Sequence, residues 1–261
     1  MAAASQRPRG PIPKTPGELD AMAASGAVLF RTHEALQAEI APGVTTQRLD
    51  EIAEELIRAA GGIPAFKDYP GPTPYPASVC ASVNDEVVHG IPGPYALREG
   101  DVLALDCGVI LDGWVSDAAR THAVGEVSKV ARRLIDVTRT SLERGIAAAR
   151  VGGRVGDIGA AVQQEVEAAG FSVVQSLVGH GVGRSMHEEP QVPNFGRPGT
   201  GAELIEGLVI AIEPMVNAGA HDVVLGDDGW TITTRDGSLS AHWEHTVAIT
   251  ADGPRILTTL A

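Results

Sequence analysis

Cysteine is nearly missing from this sequence: Cys80 and Cys107 are the two present in 261 residues. Neither their number nor their spacing supports a disulfide scaffold or a cysteine-based zinc site. The simplest role for both is as small buried apolar residues in a reducing compartment. Long apolar runs are missing too. No window reaches the length of a membrane span, and the opening MAAASQRPRGPIPKTP has no apolar stretch long enough for a signal peptide. A cytoplasmic protein with no membrane partner is therefore expected. Cations are outnumbered, with 20 Lys and Arg against 33 Asp and Glu and a formal net charge of −13. That balance argues against a protein held on nucleic-acid phosphates, so no DNA partner is expected. Aromatics are scarce, 4% of residues, while hydrophobic residues make up 44%. Three common motifs are absent as well. His187-Glu188-Glu189-Pro190-Gln191 lacks the second histidine of the zinc helix H-E-x-x-H. Gly179-His180-Gly181-Val182-Gly183 does not follow the dinucleotide fingerprint. No G-x-S-x-G nucleophile elbow occurs.

What is there reads as one large domain or two ordinary ones. Residues 1–14 are small, polar and Pro-rich and read as a flexible arm. Thr15-Pro16-Gly17-Glu18 is a helix start, with Thr as N-cap, Pro at the first helical position and Glu closing a capping box. Leu19, Met22, Leu29, Leu36 and Ile40 carry that helix to Pro42-Gly43. A second helix starts near Thr45 or Thr46, with Leu49, Ile52, Ala53, Leu56 and Ile57 as its apolar stripe, and ends at Gly61-Gly62. Residues 64–76 form a Pro-rich loop, and 78–83 a short strand leading to His89-Gly90-Ile91-Pro92. Residues 128–150 read as a third helix with Val130, Leu134, Val137, Leu142 and Ile146 buried, and 155–169 as a fourth. Beyond a strand at 171–175, the rest is strands and loops: a glycine loop at 179–183, then strands at 208–213, 230–234 and 241–250. A shift of 109 positions aligns Gly43 with Gly152, Leu49 with Ile158, and Ala59-Ala60-Gly61 with Ala168-Ala169-Gly170. This thin match suggests two related halves; helix ends everywhere favour Ala and Gly, which explains it equally well.

The most informative stretch is Leu105–Ala118, LDCGVILDGWVSDA. Asp112-Gly113 is a two-residue hairpin signal, because a type I′ turn needs positive φ at both positions. With that turn, Leu111 faces Trp114 and Asp117 faces Gly108. Alternation along a strand then puts Asp106 on the same face, diagonal to Asp117. Two carboxylates side by side on a buried face repel, and a divalent cation removes the conflict. On the hairpin alone, two solvated aspartates explain the pattern as well; the apolar run Val102–Leu105 favours a core strand.

Further acids and histidines lie at the ends of apolar strands. Glu213 closes VIAIEPM and Glu244 lies in HWEHTVAI. Each alone can be a strand-end acid facing water, and His180 alone can be an ordinary loop histidine. Together, four acids and one imidazole suit a two-metal site whose shared carboxylates hold ions roughly 3.5–4 Å apart.

The set LDCGVILDGWVSDAA, GHGVGRSMHEEP, IAIEPM and SAHWEHTVA, with the lead-in SVCASVNDEVVHGIP, resembles methionine aminopeptidase of type I. The resemblance runs from about Thr15 to the C-terminus. It implies an α/β pita-bread fold over residues 15–261: two pseudo-symmetric halves with a curved antiparallel sheet inside and helices outside. It implies two divalent metal ions (Co, Mn, Fe or Zn) held by Asp106, Asp117, His180, Glu213 and Glu244, with Asp117 and Glu244 shared between them. It implies that a bridging hydroxide attacks the carbonyl after an N-terminal methionine, and that the next residue must be small. Glu213 would accept the proton, His187 would steady the oxyanion, and His89 would contact the peptide nitrogen or leaving group. The methionine pocket would include Tyr75, Cys80, Met186 and Trp230. The partners implied are N-terminal methionyl peptides and nascent chains, with transient ribosome contact and a monomeric enzyme.

Three positions depart from the family's pattern. A glycine usual before the tyrosine is Pro74, an aromatic usual three residues before it is Pro72, and Met186 stands where a larger aromatic is frequent. They bear on the pocket's rim and on substrate preference. The rival readings are another pita-bread peptidase, of the prolidase or aminopeptidase P type, and a non-catalytic pita-bread binding protein. The first usually carries an extra N-terminal domain, for which this chain has no room; the second loses metal ligands that are present here.

Overall fold

The structure, a computed structural model, describes residues 10–260. In chain order its helices are α1 (Pro16–Glu39), α2 (Thr46–Ala59), α3 (Lys129–Ala148) and α4 (Val155–Ala168). The strands before α3 are β1 (Ile63–Pro64), β2 (Val79–Val83), β3 (Glu86–Val88), β4 (Val102–Leu111) and β5 (Trp114–Ala123). Those after α4 are β6 (Ser172–Val173), β7 (Gly179–Gly181), β8 (Glu188–Val192), β9 (Val209–Ile212), β10 (Met215–Asn217), β11 (Val223–Leu225), β12 (Ile232–Thr234), β13 (Ser240–His242), β14 (His245–Thr250) and β15 (Gly253–Ile256).

Each half pairs two helices with antiparallel strands. In the first, α1 and α2 cover β4 through a core that includes Leu29, Leu36, Leu49, Ile57, Leu103, Leu105 and Val109. In the second, α3 and α4 cover β9 and β14 through Leu142, Ile146, Ile158, Ile210, Ile212 and Val247. The 109-residue shift suggested by the sequence maps α2 onto α4 end to end, Thr46 to Val155 and Ala59 to Ala168. It also maps Gly43 and Gly61, at φ 94° and 79°, onto Gly152 and Gly170, at φ 81° and 76°. The turns before the two helices make matching contacts: Gly43 N–H donates to Leu97 O and Gly152 N–H to Leu204 O. This is the pita-bread arrangement, in which two similar halves meet along a sheet.

The capping box at Thr15 and Glu18 forms as the sequence predicts, with Thr15 N–H donating to Glu18 Oε2 at 2.9 Å. The hairpin register also follows from the turn. Asp112 and Gly113 have φ of 50° and 74°, Leu111 faces Trp114, and Asp117 faces Gly108.

Several expectations change. The arm predicted for residues 1–14 falls outside the described residues up to position 9. Within residues 10–14, Lys14 is held against the body: its N–H donates to Gly207 O, and its ammonium pairs with Glu188 at 2.6 Å. A buried cation needs such a partner, and that need fixes the segment. Val130 is exposed, because Ala131, Leu134, Ile135 and Thr138 form the inward stripe of α3 and leave position 130 off it. Leu56 is likewise on the outer side of α2. The glycine loop begins as strand β7, squeezed between β8 and β9. A Cβ on Gly179 would overlap the Ala211 carbonyl and one on Gly181 the Glu189 carbonyl, so these glycines serve close approach. The strand expected at 241–250 is two strands, β13 and β14, parted at Trp243-Glu244.

Helix α1 is pressed onto the chain's last turn. A Cβ on Gly26 would overlap the Leu257 carbonyl, whereas one on Gly17 meets nothing within 4 Å. Overpacking against backbone costs about 1–3 kcal/mol or more. Gly26→Ala is therefore expected to lower the unfolding free energy by about 2 kcal/mol or more in urea titrations, while Gly17→Ala leaves it unchanged or slightly raised.

Candidate metal centre

The site lies where the two halves touch. Strand β5 runs beside β14 and the Trp243-Glu244 break. Glu244 N–H donates to Ala119 O at 2.9 Å, and Asp117 N–H donates to Thr246 Oγ1 at 2.9 Å. Thr246 Oγ1 donates back to Asp117 O at 2.8 Å, and Thr121 Oγ1 donates to His242 O at 2.6 Å. Each half brings two acids to this seam. Asp106 and Asp117 come from β4 and β5, diagonal across the hairpin. Glu213 follows β9 and Glu244 precedes β14, next to the Ile212–His245 pair. Gly108 between the aspartates must be glycine, since a Cβ there would come within 2.8 Å of Met186 Cε and 2.9 Å of Ala65 Cβ.

The carboxylates are buried against one another. Desolvation, then the neighbouring negative charges, push Asp106 and Glu244 far above the usual carboxylate range, and Glu213 follows the same causes. Asp117 is raised by desolvation to about 7. Among the described residues, Asp106 Oδ1, Asp117 Oδ1 and Glu244 Oε1 have no hydrogen-bond partner. Buried polar atoms are almost always satisfied, so three orphaned carboxylate oxygens at one place call for a cation.

His180 is the imidazole that offers a ligand atom beside these acids. Its Nδ1 lies 3.0 Å from the Gly181 carbonyl, an acceptor only, so Nδ1 carries the hydrogen and Nε2 keeps its lone pair. That Nε2 lies 3.5 Å from Glu213 Oε1 and 4.0 Å from Asp117 Oδ2. Burial lowers the His180 pKa to about 4, which keeps the ring neutral, as metal binding requires. Asp117, His180 and Glu244 offer ligand atoms all within 4.8 Å of one another, and Glu213 and Asp106 flank that trio. Four oxygen-donor acids with one imidazole fit hard-to-borderline divalent ions.

All eleven residues singled out in the sequence line one cavity of about 210 Å³. Tyr75 and Cys80 pack with Trp230, Met186 packs in the adjoining cluster with Ala65 and Phe66, and Cys80 faces Asp106 across the strand pair. Tyr75 is buried, its hydroxyl donating toward the carbonyls of Gly90 and Val79 at 3.0 and 3.1 Å. Its ring meets Trp230 edge-on, with centroids 5.2 Å apart. His89 takes φ of 60°, a costly conformation for a non-glycine residue. Its ring is held neutral, with a pKa lowered by burial to about 4. His187 packs on His180 with ring centroids 4.3 Å apart.

Seven lining residues escaped the sequence reading, His242, Phe66 and Tyr69 among them. His242 is buried, and its Nε2 lies 3.9 Å from Glu213 Oε2 and 4.0 Å from Glu244 Oε2. Its signal was present two residues before Glu244, on the same strand-face period. Phe66 and Tyr69 come from the Pro-rich loop. Tyr69, six residues before Tyr75, lines the cavity, and Pro72 does not.

Residues 20–251 match the model of metallopeptidase family M24. The chain is 53% identical over 247 residues to a methionine aminopeptidase of Clostridium perfringens, covering 95% of this chain and 98% of that protein. It superposes on the crystal structure of methionine aminopeptidase from Rickettsia prowazekii with a TM-score of 0.93 at 42% identity, covering 95% of this chain and all of the other. A prolidase from Pyrococcus horikoshii shares the fold, with a TM-score of 0.76 at 20% identity, and this chain covers 64% of it.

The raised carboxylate pKa values set a pH dependence. Asp117, raised from 3.8 to about 7, binds more protons folded than unfolded between those values. Metal-free stability should therefore fall as pH rises through that interval. A bound cation reverses the penalty, so the Tm gain from Mn should widen from pH 5 to pH 8 in thermal scans. Asp117→Asn should flatten the metal-free dependence.

Proposed function

Because this chain belongs to metallopeptidase family M24, we propose that it is a methionine aminopeptidase of type I, removing an N-terminal methionine when the next residue is small. The observation that carries this reading is the cavity, where an apolar, sulfur-bearing wall adjoins a cluster of buried carboxylates. Its volume of about 210 Å³ holds one side chain rather than a length of polypeptide. Tyr75, Cys80, Met186 and Trp230 suit a thioether, which packs well against aromatic edges and sulfur.

Asp106, Asp117, His180, Glu213 and Glu244 would hold two divalent ions (Co, Mn, Fe or Zn), with Asp117 and Glu244 shared. When bound, these ions supply a hydroxide near neutral pH and polarise the substrate carbonyl. Glu213, whose pKa is raised by burial and by Asp117, is suited to take up a proton and return it to the leaving amine. His187, at the cavity wall, donates to the oxygen on which negative charge develops. His89, neutral and held beside Trp230, contacts the peptide nitrogen. One chain supplies every residue in this scheme, so a monomer suffices. Its partners are N-terminal methionyl peptides and nascent chains, met in transient contact with the ribosome.

Purified chain loaded with Mn or Co should release methionine from Met-Ala-Ser and leave Met-Leu-Ser nearly untouched. Asp117→Asn should lose nearly all activity while remaining folded. His187→Ala should lower kcat by about 100-fold, the usual cost of one oxyanion donor, with metal content unchanged. Full activity of Asp117→Asn, or loss of metal in His187→Ala, would overturn the corresponding role.

A further inference from the structure

His187 is not free to turn in the cavity. Tyr69 Oη lies 2.6 Å from its Nδ1, and the two rings meet edge-on with centroids 5.5 Å apart. On its other side His187 packs against His180. The phenol is itself on a fixed loop. Tyr75 N–H donates to Tyr69 O at 3.0 Å, Asp68 N–H donates to Tyr75 O at 2.8 Å, and Tyr69 N–H donates to Phe66 O at 2.9 Å. Asp68 has φ of 63°, which folds the chain back on itself there. The far side of the loop is pinned by Trp230, whose Nε1 donates to Thr73 O at 3.1 Å and whose ring fills the space beside Gly71.

We propose that Tyr69 is a positioning residue for His187: its hydroxyl donates to Nδ1, which fixes the tautomer with hydrogen on Nε2 and aims that donor at the substrate carbonyl. A neutral imidazole has one donor and one acceptor nitrogen, so a donor at Nδ1 decides which nitrogen faces the substrate. Without it, the ring can carry its hydrogen on Nδ1 and present a lone pair to a developing anion, which repels it. Rotation about the side chain would also misplace the donor, and misplacement by about 1 Å can cost on the order of 100-fold. The assignment rests on the aminopeptidase reading and on His187 as oxyanion donor. It gives the five residues between Tyr69 and Tyr75 a purpose, since they let Tyr69 reach His187 while Tyr75 stays buried.

The test is Tyr69→Phe, which keeps the ring and removes the hydroxyl, studied in the metal-loaded enzyme. With Met-Ala-Ser, kcat should fall about tenfold while KM and metal content stay within about twofold. In a His187→Ala background, Tyr69→Phe should have no further effect, because both act through one donor. An unchanged kcat, or independent losses that multiply, overturns the proposal. A second measurement does not depend on turnover: two-bond nitrogen–proton NMR correlations of the His187 ring. They should show hydrogen on Nε2 in the parent and a mixture or reversal in Tyr69→Phe. If the parent cleaves no methionyl peptide, the aminopeptidase reading fails by itself. The NMR comparison then still decides the Tyr69 bond, an identical tautomer in both proteins overturning it.

Discussion

Four carboxylates forced together out of water are the constraint on which the rest of this structure depends. Asp106, Asp117, Glu213 and Glu244 are buried or nearly so, and three of their oxygens have no hydrogen-bond partner among the described residues. Nothing in the apolar cores compensates that repulsion. It is tolerated because both halves hold their acids on strands that cannot move apart. The hydrogen bonds from Thr246 to the Asp117 backbone and from Thr121 to the His242 backbone tie β5 to the far half. A fixed backbone with mutually repelling side chains is preorganised for cations, since little rearrangement is needed when they bind.

The paired architecture explains how such a cluster arises from modest parts. Each half contributes two helices, a strand pair and two acids, and helices α2 and α4 correspond residue for residue. Joining the halves edge to edge doubles the carboxylates at the seam without requiring any single strand to carry more than one. The two halves then diverge. The first adds the pocket loop and His89, and the second adds His180, His187 and the Trp230 hairpin. The loops thus supply the aromatic and apolar lining of the cavity, while the seam supplies the charge.

Much of this was legible in the sequence wherever a local rule fixes geometry. The Asp-Gly turn determined the register of β4 and β5, and with it the diagonal placement of Asp106 and Asp117. The capping box fixed the start of α1. The acids stood out because they interrupt apolar runs, where a charge has no cheap explanation. What was not legible depended on contacts between distant segments. Tyr69 reaches His187 across 118 positions, and Lys14 reaches Glu188 across 174, and no period or spacing announces either. His242 was hidden by its neighbours, since HWEH reads as strand filler until the seam brings it near Glu213. Val130 and Leu56 were placed inside because apolar character was counted without the width of the stripe.

The seam also has a consequence in time. Asp106 and Glu244 are separated by 138 positions along the chain, and the cluster includes acids from both ends of that interval. During synthesis the first hairpin emerges with Asp106 and Asp117 while Glu213 and Glu244 are still to come. Only when β14 has been made and has settled beside β5 do the last oxygens arrive. The full set of four carboxylates therefore exists only once the second half has folded onto the first.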